Sequence, residues 1–113
     1  MRTTTAGKKA EKAVAELLGK RGFKILGQNW KTPVCEIDII AQRDKVAYFI
    51  EVKFRSSESQ GGGWEYIGPQ KLRKIDFAAR VWIQHHRWEG DYRLLAAEVA
   101  GLNFEDISII EIG

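Results

Sequence analysis

Apolar residues first recur at helical spacing. Ala10, Ala13, Val14, Leu17 and Leu18 fall on one stripe of a helix expected over residues 7–21. Gly22 follows where a helix C-terminal cap is expected. The period then shortens. Residues 23–30 read as a short strand, 34–41 as a stronger one and 46–54 as a third. The last two are joined by the polar turn Arg43-Asp44-Lys45, which predicts an antiparallel hairpin. Residues 56–63 read SSESQGGG, and three successive glycines predict a mobile loop. Pro69 suits the first turn of a second helix, expected over residues 69–87. Its apolar face is Leu72, Ile75, Ala78, Ala79, Trp82 and Ile83. Residues 92–99 and 107–112 close the chain as two further strands. The order αβββαββ predicts an α/β fold, a mixed β-sheet flanked by helices.

Charges interrupt the two strongest strands. EIDII and YFIEVK carry Asp38, Glu51 and Lys53. Side chains on a strand alternate faces. Tyr48, Ile50, Val52 and Phe54 should therefore point one way, and Phe49, Glu51, Lys53 and Arg55 the other. Ile37, Ile39 and Ala41 should share a face, with Glu36, Asp38 and Ile40 opposite. If the apolar faces pair, Asp38, Glu51 and Lys53 converge on one side of the hairpin. Two carboxylates beside a lysine suit a divalent cation held with waters and substrate phosphates, as Mg²⁺ prefers. That arrangement supports phosphodiester hydrolysis, with Lys53 stabilising the developing charge or positioning water. Glu-x-Lys alone is common on solvated strand faces and marks no site by itself. Asp38 in the preceding strand adds weight and leaves both readings open.

Composition bounds the function classes. The 113 residues suit one domain, residues 1–113, and the 44% hydrophobic and 29% charged fractions fit a soluble globular protein. No apolar run approaches the roughly 18 residues of a membrane span. The opening MRTTTAGKKAEK has no apolar core of a secretory signal. Cys35 is the single cysteine, so a reducing cytoplasm is the expected setting. The net charge of +3 is mild, but its distribution is uneven. Residues 94–113 hold four acids and no Lys or Arg, leaving all 18 bases in the rest of the chain. A basic body permits a polyanion-binding face. Solvated lysines on helix surfaces account for the same charges.

Five blocks carry a family resemblance. They are GKKAE at residues 7–11, GFKIL at 22–26 with Asn29-Trp30-Lys31, EIDIIA at 36–41, FIEVKFRSS at 49–57 and QKLRKI at 70–75. In this order and spacing they resemble the YraN-type family of small predicted bacterial nucleases, similar to Holliday-junction resolvases. Asp38 followed by Glu51-Val52-Lys53 resembles the signature of the restriction-endonuclease-like, or PD-(D/E)XK, superfamily. The likeness spans about residues 7–82. It implies a restriction-endonuclease-like core and a site for Mg²⁺ or Mn²⁺ formed by Asp38 and Glu51, with the Val52 carbonyl as a further ligand. It also implies Lys53 as catalytic lysine and Glu11 as an assisting helical acid. From helical geometry alone, Glu11 falls at the edge of the apolar stripe, where a solvated charge or a lysine pair serves as well. Two positions depart from the family pattern. Cys35 stands where Gly is usual, and Leu94-Leu95 follow Arg93 where an aromatic and Asp are usual.

The resemblance also implies DNA as partner, including branched DNA, and the small domain allows a homodimer on a two-stranded substrate. Arg55, Gln70, Lys71, Arg73 and Lys74 are the candidate backbone contacts. Gln70 and Lys71 open the second helix, whose N-terminus favours phosphate; ordinary capping and solvation serve equally. Glu36 fits either an outer acid of the site or an arginine partner. His85 and His86 are adjacent on a helix, point about 100° apart and read as helix-end residues. Of the four tryptophans, Trp64 beside the glycines can anchor the loop or stack on a base. A nucleic-acid-binding module that keeps the fold without turnover is the alternative to an endonuclease.

Overall fold

The computed structural model describes residues 5–55 and 68–113. The chain runs α1 (Thr5–Lys20), β1 (Lys24–Lys31), β2 (Glu36–Arg43), β3 (Val46–Phe54), α2 (Pro69–His86), β4 (Asp91–Ala100) and β5 (Asp106–Glu111). The sheet order is β1-β2-β3-β4-β5. All neighbours are antiparallel except β3 and β4, which are parallel. A parallel pair needs a long crossover, and α2 is that crossover. The result is an α/β fold with a restriction-endonuclease-like core. The glycine-rich stretch at residues 56–63 and Trp64 lie outside the described residues.

Local chemistry explains the joints. Gly22 adopts φ +91° after α1, a conformation that L side chains rarely take. The amide of Gly22 reaches the Gly19 carbonyl and that of Phe23 the Leu18 carbonyl, closing the helix end. Asp44 turns the β2–β3 hairpin with φ 57°, which a short polar side chain tolerates. Pro69 begins α2, whose Leu72 amide bonds the Gly68 carbonyl. Between β1 and β2, the Thr32 hydroxyl accepts from the amides of Val34 and Cys35, both at 3.1 Å. Cys35 is not among the residues with positive φ. Its position therefore makes no backbone demand for glycine, and the half-buried thiol packs beside α2.

Each face of the sheet is covered by one helix. On one side Ala10, Val14, Ala15 and Leu18 of α1 pack on Ile39, Ala41, Ile50, Leu95, Ala97 and Val99. On the other, Ile75, Ala78, Ala79 and Trp82 of α2 pack on Ile37, Ile40, Ala47, Phe49 and Leu94. Strands buried on both faces read as nearly continuous apolar runs. Leu94 and Leu95 go one to each core, so this departure from the family pattern leaves β4 paired along its length.

Two expectations need correction. The buried residues of α1 are Ala10, Glu11, Val14, Ala15 and Leu18, whereas Ala13 and Leu17 are only half-buried. The stripe is rotated toward Glu11, which lies inside it rather than at its edge, because Ala15 completes the buried face. Ile37, expected to share a face with Ile39 and Ala41, packs with Ile40 in the α2 core instead. Strict alternation fails across Asp38.

Candidate active site

That failure coincides with a split in the sheet. The β2–β3 ladder runs from Arg43↔Val46 to Ile39↔Ile50 and stops. Beyond that point β2 keeps its pairing with β1 as far as Lys31↔Glu36. β3 keeps its pairing with β4 as far as Phe54↔Val99. The two strands therefore part between Asp38 and Glu51. Asp38 Oδ2 accepts the Val52 amide at 2.8 Å and so supplies the acceptor the ladder no longer provides.

Glu51 stands on the opposite lip. Its Oε2 lies 2.8 Å from Lys71 Nζ and 3.9 Å from Lys53 Nζ. Phe49 packs in the α2 core and Glu51 meets Lys71 of α2, so this side of β3 alternates as expected. A cleft of about 660 Å³ opens between the strands and the start of α2. Glu36, Asp38 and Glu51 form its acidic wall; Gln70, Lys71, Arg73 and Lys74 form the facing wall. Val34, Cys35, Ile75 and Phe77 complete the lining.

The acids are electrostatically crowded. Burial pushes the Asp38 carboxyl up to about 6, opposed by its bond to Val52 and reinforced by the charges of Glu51, Glu11 and Glu36. Glu11 is 8% exposed and is the one buried charged residue among those described. Burial raises its pKa too, against a hydrogen bond from the Asn29 side chain and the nearby charges of Lys31 and Lys8. Glu11 Oε1 is buried without a hydrogen-bond partner among the described residues, a costly state for a carboxylate oxygen. Lys71 is held protonated by its bond to Glu51, with burial opposing and the charges of Glu51, Asp38 and Glu36 adding to it.

The structure brings Asp38, Glu51, Gln70, Lys71, Arg73 and Lys74 to one cleft. Glu11 sits on the α1 side of the split, within the field of Asp38 but outside the cleft lining. Lys53 neighbours Glu51 and also lies outside the lining. Val52 contributes its amide to Asp38 while its side chain packs toward α1. Arg55 turns to β4, with Nε 2.8 Å from Glu98 Oε2. His86 stacks on Trp82 with ring centroids 4.3 Å apart, away from the carboxylates. Among the described residues, no three Asp, Glu, His or Cys side chains close tightly enough to enclose an ion by themselves.

Two contacts escape sequence reasoning, although both residues lie in the blocks that carry the family resemblance. The Asn29 side chain bonds Glu11, and Asn29 itself has a φ of 52° inside β1. Lys71 is the closer cation to Glu51, although Lys53 is the nearer in sequence. A lysine two residues after Pro69 was visible as a helix-start base; its aim at Glu51 depends on the packing of α2.

Fold and cleft together define a small α/β protein with a restriction-endonuclease-like core and an acidic split facing a basic helix start. The chain belongs to the uncharacterised protein family UPF0102, whose profile matches residues 10–109. It is 37% identical over 94 residues to a UPF0102 protein of Fusobacterium nucleatum, covering 83% of this chain and 78% of that one. A UPF0102 protein of Anaeromyxobacter dehalogenans is 35% identical over 100 residues, covering 88% and 73%. One from Sulfurihydrogenibium is 36% identical over 102 residues, covering 89% of each. No described helix is long and apolar enough to cross a membrane.

Proposed function

We propose that the chain is a metal-dependent endonuclease that hydrolyses DNA phosphodiester bonds, selective for branched or junction DNA. The observation that carries this reading is the pairing of Asp38 and Glu51 across the β2–β3 split, facing the basic start of α2 in one cleft. Hard carboxylate oxygens suit Mg²⁺ or Mn²⁺, and the unsatisfied Oε1 of Glu11 adds a buried acceptor near them. Two carboxylates without an all-protein cage agree with the habit of Mg²⁺, which keeps waters and substrate phosphates in its shell. Asp38 and Glu51 would hold the ion, with the Val52 carbonyl as a further ligand. When bound, the ion would supply Lewis-acid stabilisation of the phosphoryl oxygens and lower the pKa of a bound water.

The chain's own groups have separable tasks. The Val52 amide bonds Asp38 and so helps to preorganise its carboxylate. Lys53 supports the attacking water or the negative charge that develops on phosphorus oxygens. Gln70, Lys71, Arg73 and Lys74 grip the backbone and read no sequence. Two copies of so small a domain would serve a two-stranded junction.

A second reading is a binding module that keeps the fold without turnover. The closed Lys71–Glu51 pair favours it, because the site is already charge-balanced at that oxygen. Incubating purified protein and Mg²⁺ with matched branched, duplex and single-stranded DNA and RNA separates the two. Cleavage of branched DNA that disappears in Asp38→Ala supports the nuclease. Salt-sensitive binding that is indifferent to metal, with no Asp38-dependent cleavage of any substrate, supports the module.

A further inference from the structure

Lys71 stands where a metal charge would act. Its ammonium is 2.8 Å from Glu51 Oε2 and lies in the fields of Asp38 and Glu36 as well. A divalent ion bound to that oxygen at about 2.1 Å would sit within roughly 5 Å of this ammonium in any arrangement, and like charges so close repel. The two cations therefore compete for Glu51. Lys71 is able to leave. Its side chain is 44% exposed, and a lysine head rides on a flexible four-carbon stem. The cleft into which it would swing is the one proposed for the phosphate backbone, and Lys71 lines it. Lys53 stays 3.9 Å from the same oxygen on the sheet, so one lysine neighbours Glu51 whether or not Lys71 does.

We propose that Lys71 is a displaceable counter-ion: it holds Glu51 while no divalent ion is present and transfers to a substrate phosphate when the ion loads. This inference rests on the nuclease reading. It makes metal and nucleic acid bind cooperatively, because a phosphate gives the displaced ammonium a new partner.

Calorimetric titration of the full chain with Mn²⁺ tests it, comparing wild type with Lys71→Gln, Lys71→Arg and the remote charge control Lys20→Gln, after thermal melts confirm folding. Lys71→Gln should bind Mn²⁺ about tenfold more tightly than wild type, since the competing cation is gone. Lys71→Arg and Lys20→Gln should stay near wild type. With Ca²⁺ in place of Mn²⁺, Lys71→Gln should bind branched DNA several-fold more weakly than wild type. Equal or weaker Mn²⁺ binding by Lys71→Gln, or equal tightening in Lys71→Arg, overturns the counter-ion role. If wild type binds Mn²⁺ and cleaves in an Asp38-dependent way despite that result, only this role falls. If neither wild type nor Lys71→Gln binds Mn²⁺, the metal-dependent nuclease reading falls with it.

Discussion

The Val52 amide donates to Asp38 Oδ2 at 2.8 Å, across the point where β2 and β3 part. The bond ties a buried carboxylate to the backbone of the residue that follows Glu51. It also explains why strand alternation breaks at Asp38, since a carboxylate that completes a ladder must turn toward the neighbouring strand. An asparagine could keep the bond through its carbonyl oxygen while removing the charge.

Asp38→Asn should therefore stabilise the metal-free protein at neutral pH. Burial raises the Asp38 carboxyl from 3.8 to about 6, so the folded state holds its proton more firmly than the unfolded chain does. Below about pH 3 both states are protonated and the charge costs nothing. Between about 3 and 6 the unfolded state ionises first and wild-type stability falls; above about 7 the cost is constant. The variant should gain up to about 3 kcal/mol at pH 8 and well under about 1 kcal/mol at pH 4. Denaturant melts at both pH values check this, and a gain of equal size at pH 4 would contradict it.

Glu11→Gln should act in the same direction through a different partner. Glu11 is buried, its pKa is raised by burial, and one oxygen lacks a partner. Glutamine can keep the Asn29 contact and removes the buried charge, so Tm at pH 7 should rise by a few degrees. The gain should shrink as pH falls toward the ordinary Glu value of 4.5, because the folded wild-type side chain takes up its proton above that value. If Glu11 assists the metal, the same variant should cleave more slowly despite its higher Tm. Slower cleavage with a lower Tm would mark a merely damaged fold.

Much of this architecture is legible from period alone. Helical spacing in α1 and α2, the Arg43-Asp44-Lys45 turn and the run from Val46 to Phe54 are local signals, and the elements form where those signals lie. Asp38 and Glu51 are also visible, because charges inside apolar strands stand out. The rotation of α1 toward Glu11 is not visible: Ala13 and Ala15 are alike in sequence, and only packing against β2 and β3 selects between them. Nor is the contact of Lys71 with Glu51, which depends on how α2 docks across the sheet. The turn of Asp38 is hidden for the same reason, because it requires β2 and β3 to part partway along while each keeps its outer neighbour.

Phe49→Ala should cost about 3–5 kcal/mol. The Phe49 ring is fully buried and meets Trp82 and Tyr92 edge-on, with centroids 5.5 and 6.0 Å away. It packs β3 against α2, so its loss should also loosen the wall that carries Lys71. Phe77, 51% exposed on the same helix, should change stability by less than about 1 kcal/mol when truncated. Urea unfolding of the two variants distinguishes them, and comparable losses would show that α2 packs differently.

The basic start of α2 should set the salt dependence of nucleic-acid binding. Arg73 and Lys74 are exposed and line the cleft, whereas Arg55 is turned toward Glu98. If the first two contact phosphates, each releases counter-ions on binding, and log K should fall with log salt by about 0.9 per phosphate neutralised on duplex DNA. The double change Arg73→Gln, Lys74→Gln should then lower affinity for unrelated sequences alike and flatten the slope by about two. Arg55→Gln should flatten it less, because its guanidinium is engaged on β4 and lies outside the cleft lining. Anisotropy titrations with Ca²⁺ at several salt concentrations measure all three slopes. A steeper effect from Arg55 than from the α2 pair would move the nucleic-acid path away from this cleft.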